Sequence, residues 1–241
     1  MAPRIAIPLP HSTNLEYSNR AIPQYERAVE LAGGEAVRID LNLTSAEISQ
    51  LIQNCHGVLL PGSNADVDPE KFHKARSLRT AAPDIGRHEV DDLLLRDAYE
   101  RRKPVLGICY GLQSLNVFRG GSLIQHIPDF LPEEKRTLVN HEAGKDVPLA
   151  HTVNVDADSQ LATIVGVSRG LPVNSSHHQS ADRIGEGLRL VARCAEDGIV
   201  EAVEGTGSGH FVLAVQWHPE RSVDQDEASR AIFRALLEAA R

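Results

Sequence analysis

A cysteine at a predicted strand-to-helix turn is the feature that most constrains how this chain can fold. The apolar run Pro104–Ile108 predicts a buried strand, and Cys109 follows it directly between Gly107 and Gly111. A helical pattern of apolar residues resumes at Leu112. A side chain on such a sharp turn is pushed out of the sheet, and the adjacent helix N-terminus stabilises negative charge on it. The pattern therefore favours a nucleophilic cysteine over one that only packs in a core.

Predicted strands and helices alternate through the first half of the chain. Strands are expected at 4–8, 36–40 and 57–62, with helices at 19–32, from 45 onwards, and at 84–102. This alternation indicates an α/β fold with a parallel sheet and crossover helices. The second half is expected to hold strands at 151–155, 188–194, 198–204 and 211–217, and a closing helix at 226–241. No composition break marks a linker, so residues 1–241 are expected to form one domain.

Composition limits the classes of function that the chain can have. Its 241 residues are 41% hydrophobic and carry a formal net charge of −8, which argues against a nucleic-acid-binding surface. No apolar run approaches the roughly 18 residues of a membrane span, and the N-terminus lacks a signal-peptide pattern. The three cysteines, Cys55, Cys109 and Cys194, show neither disulfide nor metal-ligand spacing. We therefore expect a cytoplasmic protein with no nucleic-acid or membrane partner.

A histidine and a glutamate near the last predicted strand are the best candidates for the base that a cysteine nucleophile needs. His218 follows that strand, and Glu220 lies two residues further on, beyond Pro219. In an extended segment, residues two apart point to the same side, so Glu220 would accept a hydrogen bond from the imidazole. A histidine that only caps or packs is the alternative for His218 alone. Its combination with Cys109 favours catalysis.

Backbone N–H groups at a glycine-containing turn are candidates for an oxyanion site. The turn at Gly62 and Ser63 follows a predicted strand, and one of its N–H groups could act with the N–H of Tyr110. An ordinary turn is the alternative interpretation. In an open parallel sheet, ligand sites gather at the carboxyl ends of the strands, where Gly62, Cys109 and His218 are all expected.

A dense polar segment at residues 172–180 predicts a loop that caps the pocket. Ser176, His178 and Gln179 are its candidate substrate contacts, and a plain polar loop is the alternative. The neighbouring His177 and His178 raise the question of a metal ion. No cysteine or acidic partner stands at ligand spacing from them, so we expect no metal and no cofactor.

Motifs that occur in order along the chain resemble one known family. The segment Gly107–Gln113, with Asn116 and Gln125 downstream, is similar to class I glutamine amidotransferases. The segments 61–69, 173–179, 197–202 and 216–220 resemble the stand-alone γ-glutamyl hydrolase branch, the peptidase C26 group, and within it the γ-glutamyl-γ-aminobutyrate hydrolases of putrescine breakdown. The resemblance extends from about residue 4 to about residue 236.

The resemblance implies a flavodoxin-like three-layer α/β/α sandwich with a mainly parallel central sheet. It also implies a triad in which Cys109 attacks the γ-amide carbonyl of a glutamyl substrate to form a thioester. His218 would protonate the departing amine and then activate water, while Glu220 orients His218. Gln113 would contact the α-amino and α-carboxylate end of the substrate.

Two positions depart from the usual pattern of that branch. Tyr110 stands where the branch usually has arginine, and Ser63 where it usually has glycine. The backbone N–H is kept at both positions. The change at Tyr110 is expected to remove a cation near the substrate.

Three functions stay open from the sequence. The first is hydrolysis of a small γ-glutamyl amine or a glutamine-like substrate, and the second is a glutaminase subunit that delivers ammonia to a separate synthetase partner. The third is a non-catalytic regulatory protein on the same scaffold, which the complete triad argues against. The amine half of the substrate is expected to meet residues 10–25, including His11 and Tyr17, and the predicted mobile loop 129–147. A homodimer is also left open.

Overall fold

A nine-stranded mixed sheet forms the centre of the fold in the computed structural model, which describes residues 1–241. The strands are β1 (Arg4–Pro8), β2 (Glu35–Ile39), β3 (Gly57–Leu60), β4 (Val105–Ile108), β5 (Leu123–Ile124), β6 (His151–Val155), β7 (Leu171–Val173), β8 (Ser180–Ala181), β9 (Leu188–Cys194), β10 (Val200–Gly205) and β11 (Val212–Val215). The helices are α1 (Leu15–Leu31), α2 (Ser45–Ile52), α3 (Ile85–Arg101), α4 (Tyr110–Phe118), α5 (Ile127–Phe130), α6 (Gln160–Val165) and α7 (Glu227–Ala239). None of these helices combines the length and the hydropathy that a membrane span requires.

The order of the strands brings three predicted site segments to one edge of the sheet. The nine strands run β2-β1-β3-β4-β11-β10-β9-β6-β7, while β5 and β8 pair separately. The first five are parallel, and the last four extend the sheet in antiparallel fashion. Because β3, β4 and β11 are adjacent and parallel, the residues that follow them emerge side by side.

Helices cover both faces of the sheet. Successive strand residues point to opposite sides, and both sides carry apolar side chains that the helices bury. Ile7 and Ile108 face a core that contains Ile22 of α1 and Phe233 of α7. On the other face, Leu60 lies in a second core with side chains of α2, α3 and α4, including Ile48, Leu94 and Leu115. The predicted layered α/β/α fold is confirmed, with a five-stranded parallel part and an antiparallel extension.

Local signals explain where the predicted helices begin and where the prediction was wrong. The first helix begins at Leu15, not at residue 19, because the Asn14 side chain accepts a hydrogen bond from the N–H of Tyr17 and caps it. Thr44 and Glu47 form a capping box before α2, where the sequence predicts a helix start. The prediction missed the short elements α5, α6, β5, β7 and β8, which have too few residues to show a period.

Candidate active site

Cys109 lies on a strained turn between β4 and α4. Its backbone has φ 53° and ψ −106°, a left-handed conformation that residues other than glycine rarely adopt. Its N–H donates to the carbonyl of Val215 in β11 at 2.8 Å, and its carbonyl accepts from the N–H groups of Leu112 and Gln113. The cysteine is therefore fixed at the N-terminus of α4, where the helix dipole favours negative charge.

The two glycines around Cys109 let β4 and α4 approach at backbone distance. A Cβ on Gly107 would lie 2.8 Å from the carbonyl oxygen of Gly111. A Cβ on Gly111 would overlap the carbonyl oxygen of Leu60 in β3. The spacing that the sequence shows is thus required by the packing of the turn itself.

His218 and Glu220 form a buried pair beyond the end of β11. Nδ1 of His218 lies 2.7 Å from Oε1 of Glu220, so Nδ1 carries the proton, because a carboxylate can only accept. Nε2 makes no hydrogen bond within the chain, and the sulfur of Cys109 is the other group that interacts with the ring. The predicted contact is present, but its predicted backbone was wrong: Pro219–Arg221 forms a 3-10 turn, not an extended segment.

Electrostatics keep the imidazole of His218 charged. Burial lowers the pKa of His218, but the negative charges of Glu220 and Cys109 outweigh it and raise that pKa to about 9. Burial raises the pKa of Glu220, and the interaction with His218, helped by Arg221, outweighs it so that this pKa is lowered. The ring can therefore donate a proton at neutral pH.

Two backbone N–H groups are free beside the cysteine. The N–H of Ser63 has no acceptor within the chain, and that of Tyr110 is at the first position of α4, where helices lack an internal acceptor. The N–H of Gly62, by contrast, donates to the hydroxyl of Tyr25 at 3.0 Å. This hydrogen bond removes Gly62 from the candidate oxyanion donors and leaves Ser63 as the candidate of this turn. The missing side chain at Gly62 matters instead, because a Cβ there would lie 3.0 Å from Cε1 of His218.

The side chain of Tyr110 packs in the interior and does not line the cleft. It belongs to a small apolar cluster with Val67, Phe72, Val117 and Leu123. The guanidinium of Arg87 lies 4.8 Å from the centre of its ring and donates to the carbonyl of Pro61 at 2.6 Å. Arg87, paired with Asp91 at 2.7 Å, therefore holds the turn that leads to Ser63. Sequence reasoning missed this role, since nothing in the local pattern around residue 87 marks it.

A polar cleft of about 240 Å³ opens beside Cys109 and contains all four predicted substrate contacts, Gln113, Ser176, His178 and Gln179. The carboxamide of Gln113 is buried and donates to the carbonyl of Gln179 at 3.3 Å. His178 donates from Nε2 to Oδ1 of Asp66 at 2.9 Å, and this hydrogen bond raises the pKa of His178. Asp66, which sequence reasoning had not assigned to the site, also lines the cleft.

A second cavity of about 210 Å³ shares Glu142, His177 and His178 with this cleft. Its other lining residues include Ile127 and Leu131 at α5, and Arg136, Thr137, Val139 and Asn140, so the predicted loop 129–147 does border the site. The loop 129–147 contains buried side chains, Leu131 and His141, which attach it to the rest of the fold.

The two wall residues predicted near the N-terminus do not line either cavity. Nδ1 of His11 accepts hydrogen bonds from the backbone N–H groups of Thr13 at 3.2 Å and Asn14 at 3.1 Å. Tyr17 lies close enough to Cys109 and Glu220 for their charges to add to the effect of burial, which raises the pKa of Tyr17 to about 12. Tyr17 is thus a neighbour of the catalytic candidates, whereas His11 has structural partners.

Asn174 fixes the backbone of His218 from the loop after β7. Its Oδ1 accepts from the N–H of His218 at 2.9 Å, and its Nδ2 donates to the carbonyl of the same residue at 2.8 Å. Sequence reasoning placed Asn174 in the polar loop but did not identify this partner, because 44 residues separate the two.

The sequence is similar to known proteins over most of its length. The family model for peptidase C26 matches residues 7–220. A Mycobacterium tuberculosis protein provisionally named a glutamine amidotransferase is 38% identical over 217 residues, which cover 90% of this chain and 66% of that protein, slightly less than two thirds of its length. The γ-glutamyl-γ-aminobutyrate hydrolase PuuD of Escherichia coli is 32% identical over 223 residues, covering 90% of this chain and 84% of the relative.

Solved structures share the fold at much lower identity. A Thermoplasma acidophilum protein provisionally assigned as part of a GMP synthase superposes with a TM-score of 0.65 at 15% identity, covering 100% of this chain and 94% of the other. At that identity, the similarity concerns the architecture alone.

Proposed function

The chain belongs to the peptidase C26 family, and we propose that it hydrolyses the γ-glutamyl amide bond of a small γ-glutamyl amine through a thioester on Cys109. The observation that carries this proposal is the position of Cys109, on a turn with φ 53° beside the buried His218–Glu220 pair. Packing alone does not explain why a strained, glycine-flanked cysteine at a helix N-terminus lies beside an ion-paired imidazole. A cysteine nucleophile requires such a base.

In the proposed first step, the sulfur of Cys109 attacks the γ-carbonyl carbon of the substrate. The carbonyl oxygen becomes an oxyanion, and the free N–H groups of Ser63 and Tyr110 are the donors that we assign to it. His218 transfers the proton on Nε2 to the departing nitrogen, so the C–N bond breaks and a free amine leaves. A γ-glutamyl thioester remains on Cys109.

In the proposed second step, His218 is neutral and takes a proton from water as the water oxygen attacks the thioester. Collapse of the tetrahedral intermediate releases glutamate and returns the thiolate of Cys109 with protonated His218. Glu220 accepts from Nδ1 of His218 at 2.7 Å, which keeps Nε2 directed to the reacting atoms and stabilises the imidazolium.

The charges in the cleft support recognition of the glutamyl half. His178 is the residue that we assign to the α-carboxylate, because its hydrogen bond to Asp66 raises its pKa and favours its cationic form. Glu142 lines the same cleft and would face the α-ammonium group. Gln113 and Gln179, with Ser176, would complete the contacts by hydrogen bonds. The adjoining cavity with Ile127 and Leu131 would receive the amine half of the substrate.

A panel of γ-glutamyl amines with glutamine as the reference substrate tests this function. We expect glutamate release from at least one γ-glutamyl amine with a larger kcat/KM than for glutamine, and no release by Cys109→Ala. If glutamine alone is hydrolysed, and only when a synthetase is added, the chain is an ammonia-delivering glutaminase subunit. If no γ-glutamyl amide is cleaved and Cys109 remains unmodified by them, the catalytic proposal is wrong.

A further inference from the structure

A second buried cluster lies behind the loop that lines the cleft. It consists of His141, His151, His177 and Glu201, which come from the segment before β6, from β6, from the loop after β7 and from β10. All four side chains are at least nine-tenths buried, and the Glu201 carboxylate is fully buried. One nitrogen of each histidine lies close to Oε1 of Glu201, at 3.5 Å for His141 Nδ1, 3.4 Å for His151 Nε2 and 3.7 Å for His177 Nε2.

In each ring, the nitrogen that points away from Glu201, here called the outer nitrogen, makes a hydrogen bond. These hydrogen bonds show which ring nitrogen carries the proton and which carries a lone pair. His141 donates from Nε2 to Oδ2 of Asp197 at 2.8 Å, and His177 donates from Nδ1 to the carbonyl of Gln179 at 2.9 Å. His151 makes a longer contact of the same kind, from Nδ1 to the carbonyl of Thr152 at 3.3 Å. Each outer hydrogen bond assigns the ring proton to the outside, so the inner nitrogen of the neutral ring is an acceptor.

Four acceptor groups therefore converge with no donor among them. None of the three inner nitrogens has a hydrogen-bond partner, and neither oxygen of Glu201 has one. A fully buried carboxylate without a hydrogen bond is costly, and lone pairs that face each other repel. A cation at the centre removes both problems at once.

The size and chemistry of the cluster fit a four-coordinate zinc ion. Zinc binds imidazole nitrogen and carboxylate oxygen at roughly 2.0–2.2 Å, so tetrahedral ligand atoms lie about 3.3–3.5 Å apart. The distances to Glu201 Oε1 are 3.4–3.7 Å, and all four ligand atoms lie within 4.8 Å of one another. Hydrogen bonds from the outer ring nitrogens to a carboxylate and to backbone carbonyls are also the usual support of zinc-bound histidines.

We propose that His141, His151, His177 and Glu201 form a structural site for one Zn²⁺ ion. Four protein ligands close the coordination sphere, which is typical of a zinc that stabilises a fold and does not activate water. The ligands are adjacent in sequence to cleft residues: Glu142 follows His141, and His178 follows His177. The ion would fasten both cleft segments to the antiparallel part of the sheet.

Sequence reasoning led to the opposite expectation for a physical reason. No acidic or cysteine partner stands near His177 in the chain, and His141, His151 and Glu201 are all distant from it in sequence. The strands β6 and β10 bring these partners together only after the sheet has formed.

The test is the metal content of the protein itself. The wild-type chain would be produced without a polyhistidine tag in zinc-supplemented medium, desalted, and analysed by inductively coupled plasma mass spectrometry. We expect about one zinc per chain. Glu201→Gln keeps the side-chain volume and should lose most of this metal. His56→Gln, a change at an exposed histidine outside the cluster, should retain it.

Two further measurements test the site even if Glu201→Gln folds poorly. They are the absorption spectrum of the cobalt-substituted protein and the zinc affinity of a second variant. Apo protein reconstituted with Co²⁺ should show the visible d–d absorption of four-coordinate cobalt in wild type and His56→Gln. Asp197→Asn leaves the four ligands in place but weakens the support of His141, so zinc affinity should fall about 10- to 100-fold. Wild-type protein that contains only trace metal, shows no such cobalt spectrum and gains no thermal stability from added Zn²⁺ overturns the proposal. In that case, hydrogen bonds from protonated histidine rings to the Glu201 carboxylate would hold the four side chains together.

Discussion

The carboxamide of Asn174 binds both backbone polar groups of His218, accepting from its N–H at 2.9 Å and donating to its carbonyl at 2.8 Å. The loop after β7 thereby fixes the residue after β11 that we assign as the catalytic acid. This contact links the part of the chain that lines the cleft with the part that carries the proton.

Replacing Asn174 with alanine should impair turnover more than substrate binding. The change leaves the buried N–H of His218 without a partner and its carbonyl with only a 3.3 Å hydrogen bond from the N–H of Arg221, which should lower the free energy of unfolding by about 1–3 kcal/mol. A displaced imidazole should lower kcat by about 10- to 100-fold, with a much smaller change in KM. Steady-state kinetics and urea unfolding would measure both effects.

Asn154 provides a matched control for that change. It is exposed on β6, and its Oδ1 accepts only a long hydrogen bond, 3.4 Å, from the N–H of Gly170. Asn154→Ala should leave kcat and stability close to those of wild type. Equal effects of the two substitutions would show that Asn174 has no special part in holding His218.

Covalent labelling should distinguish Cys109 from the other two cysteines. A diazoketone analogue of glutamine should alkylate Cys109 and inactivate the enzyme, because Cys109 lines the cleft and interacts with His218. Burial raises the pKa of the thiols of Cys55 and Cys194, so both should stay unlabelled. Peptide mass spectrometry would locate the adduct.

Substitution of the same residue completes the test. Cys109→Ser should reduce kcat by about 10⁴-fold or more, with an unchanged circular dichroism spectrum, and it should abolish labelling. Modification at Cys55 or Cys194 at a rate comparable to that of Cys109 would contradict the assignment of an activated nucleophile.

The raised pKa of His218 predicts a specific pH dependence. Burial alone would lower this pKa, but Glu220 and Cys109 raise it to about 9 from an ordinary value of 6.5. The folded state therefore binds this proton more tightly than the unfolded chain does. The resulting stabilisation is fully present below pH 6.5 and is lost as the pH rises through about 9. Over the same alkaline range kcat/KM should fall, because the leaving amine no longer receives its proton.

NMR titration of the histidine rings would measure this shift directly. Cys109→Ala and Glu220→Gln each remove a negative neighbour, so each should lower the pKa of His218 relative to wild type. A wild-type ring that titrates near 6.5, or one that neither substitution affects, would show that the pair does not hold the proton.

The sequence predicts the local parts of the fold well, because their signals lie within a few residues. The capping residues Thr44 and Glu47, the glycines at 107 and 111, and the strand before Cys109 all determine structure over one or two turns. The pairing of His218 with Glu220 was predicted as well, although a 3-10 turn produces it.

Contacts between distant segments could not be predicted in this way. The hydrogen bond from Arg87 to the carbonyl of Pro61, the hydrogen bond from Gly62 to Tyr25, and the clamp of Asn174 on His218 all span 26 residues or more. Each depends on how the layers pack, and no residue type in the local pattern reveals it. The same reason explains why Gly62 was included among the candidate oxyanion donors.

His178 should contribute mainly to substrate affinity. Its imidazole borders the cleft, and its hydrogen bond to Asp66 raises its pKa and favours the cation. His178→Gln should therefore raise KM for a γ-glutamyl substrate by about tenfold, with a smaller change in kcat. Asp66→Asn should act in the same direction at neutral pH, because it lowers the pKa of His178. His73→Gln, at an exposed residue, is the control; unchanged KM in both cleft variants would exclude this contact.

Adding one methyl group at Gly62 tests how closely the turn and the imidazole must approach. A Cβ at this position would lie 3.0 Å from Cε1 of His218, 3.0 Å from the hydroxyl of Tyr25 and 3.7 Å from Cβ of Cys109. Gly62 does not have a positive φ, so alanine is compatible with the backbone there. The methyl group must instead displace the ring by a few tenths of an ångström.

We expect Gly62→Ala to fold and to lower kcat by about tenfold or more, because the ring of His218 is moved away from its position beside Cys109. Gly207 is the matched control, since a Cβ added there would have no atom within 4 Å and its φ is not positive. Gly207→Ala should keep full activity. The pKa of His218, followed by NMR, should fall in Gly62→Ala and stay constant in Gly207→Ala, because a displaced ring interacts less with Glu220 and Cys109. Full activity of Gly62→Ala with an unchanged pKa would show that the site tolerates a looser arrangement than the one described.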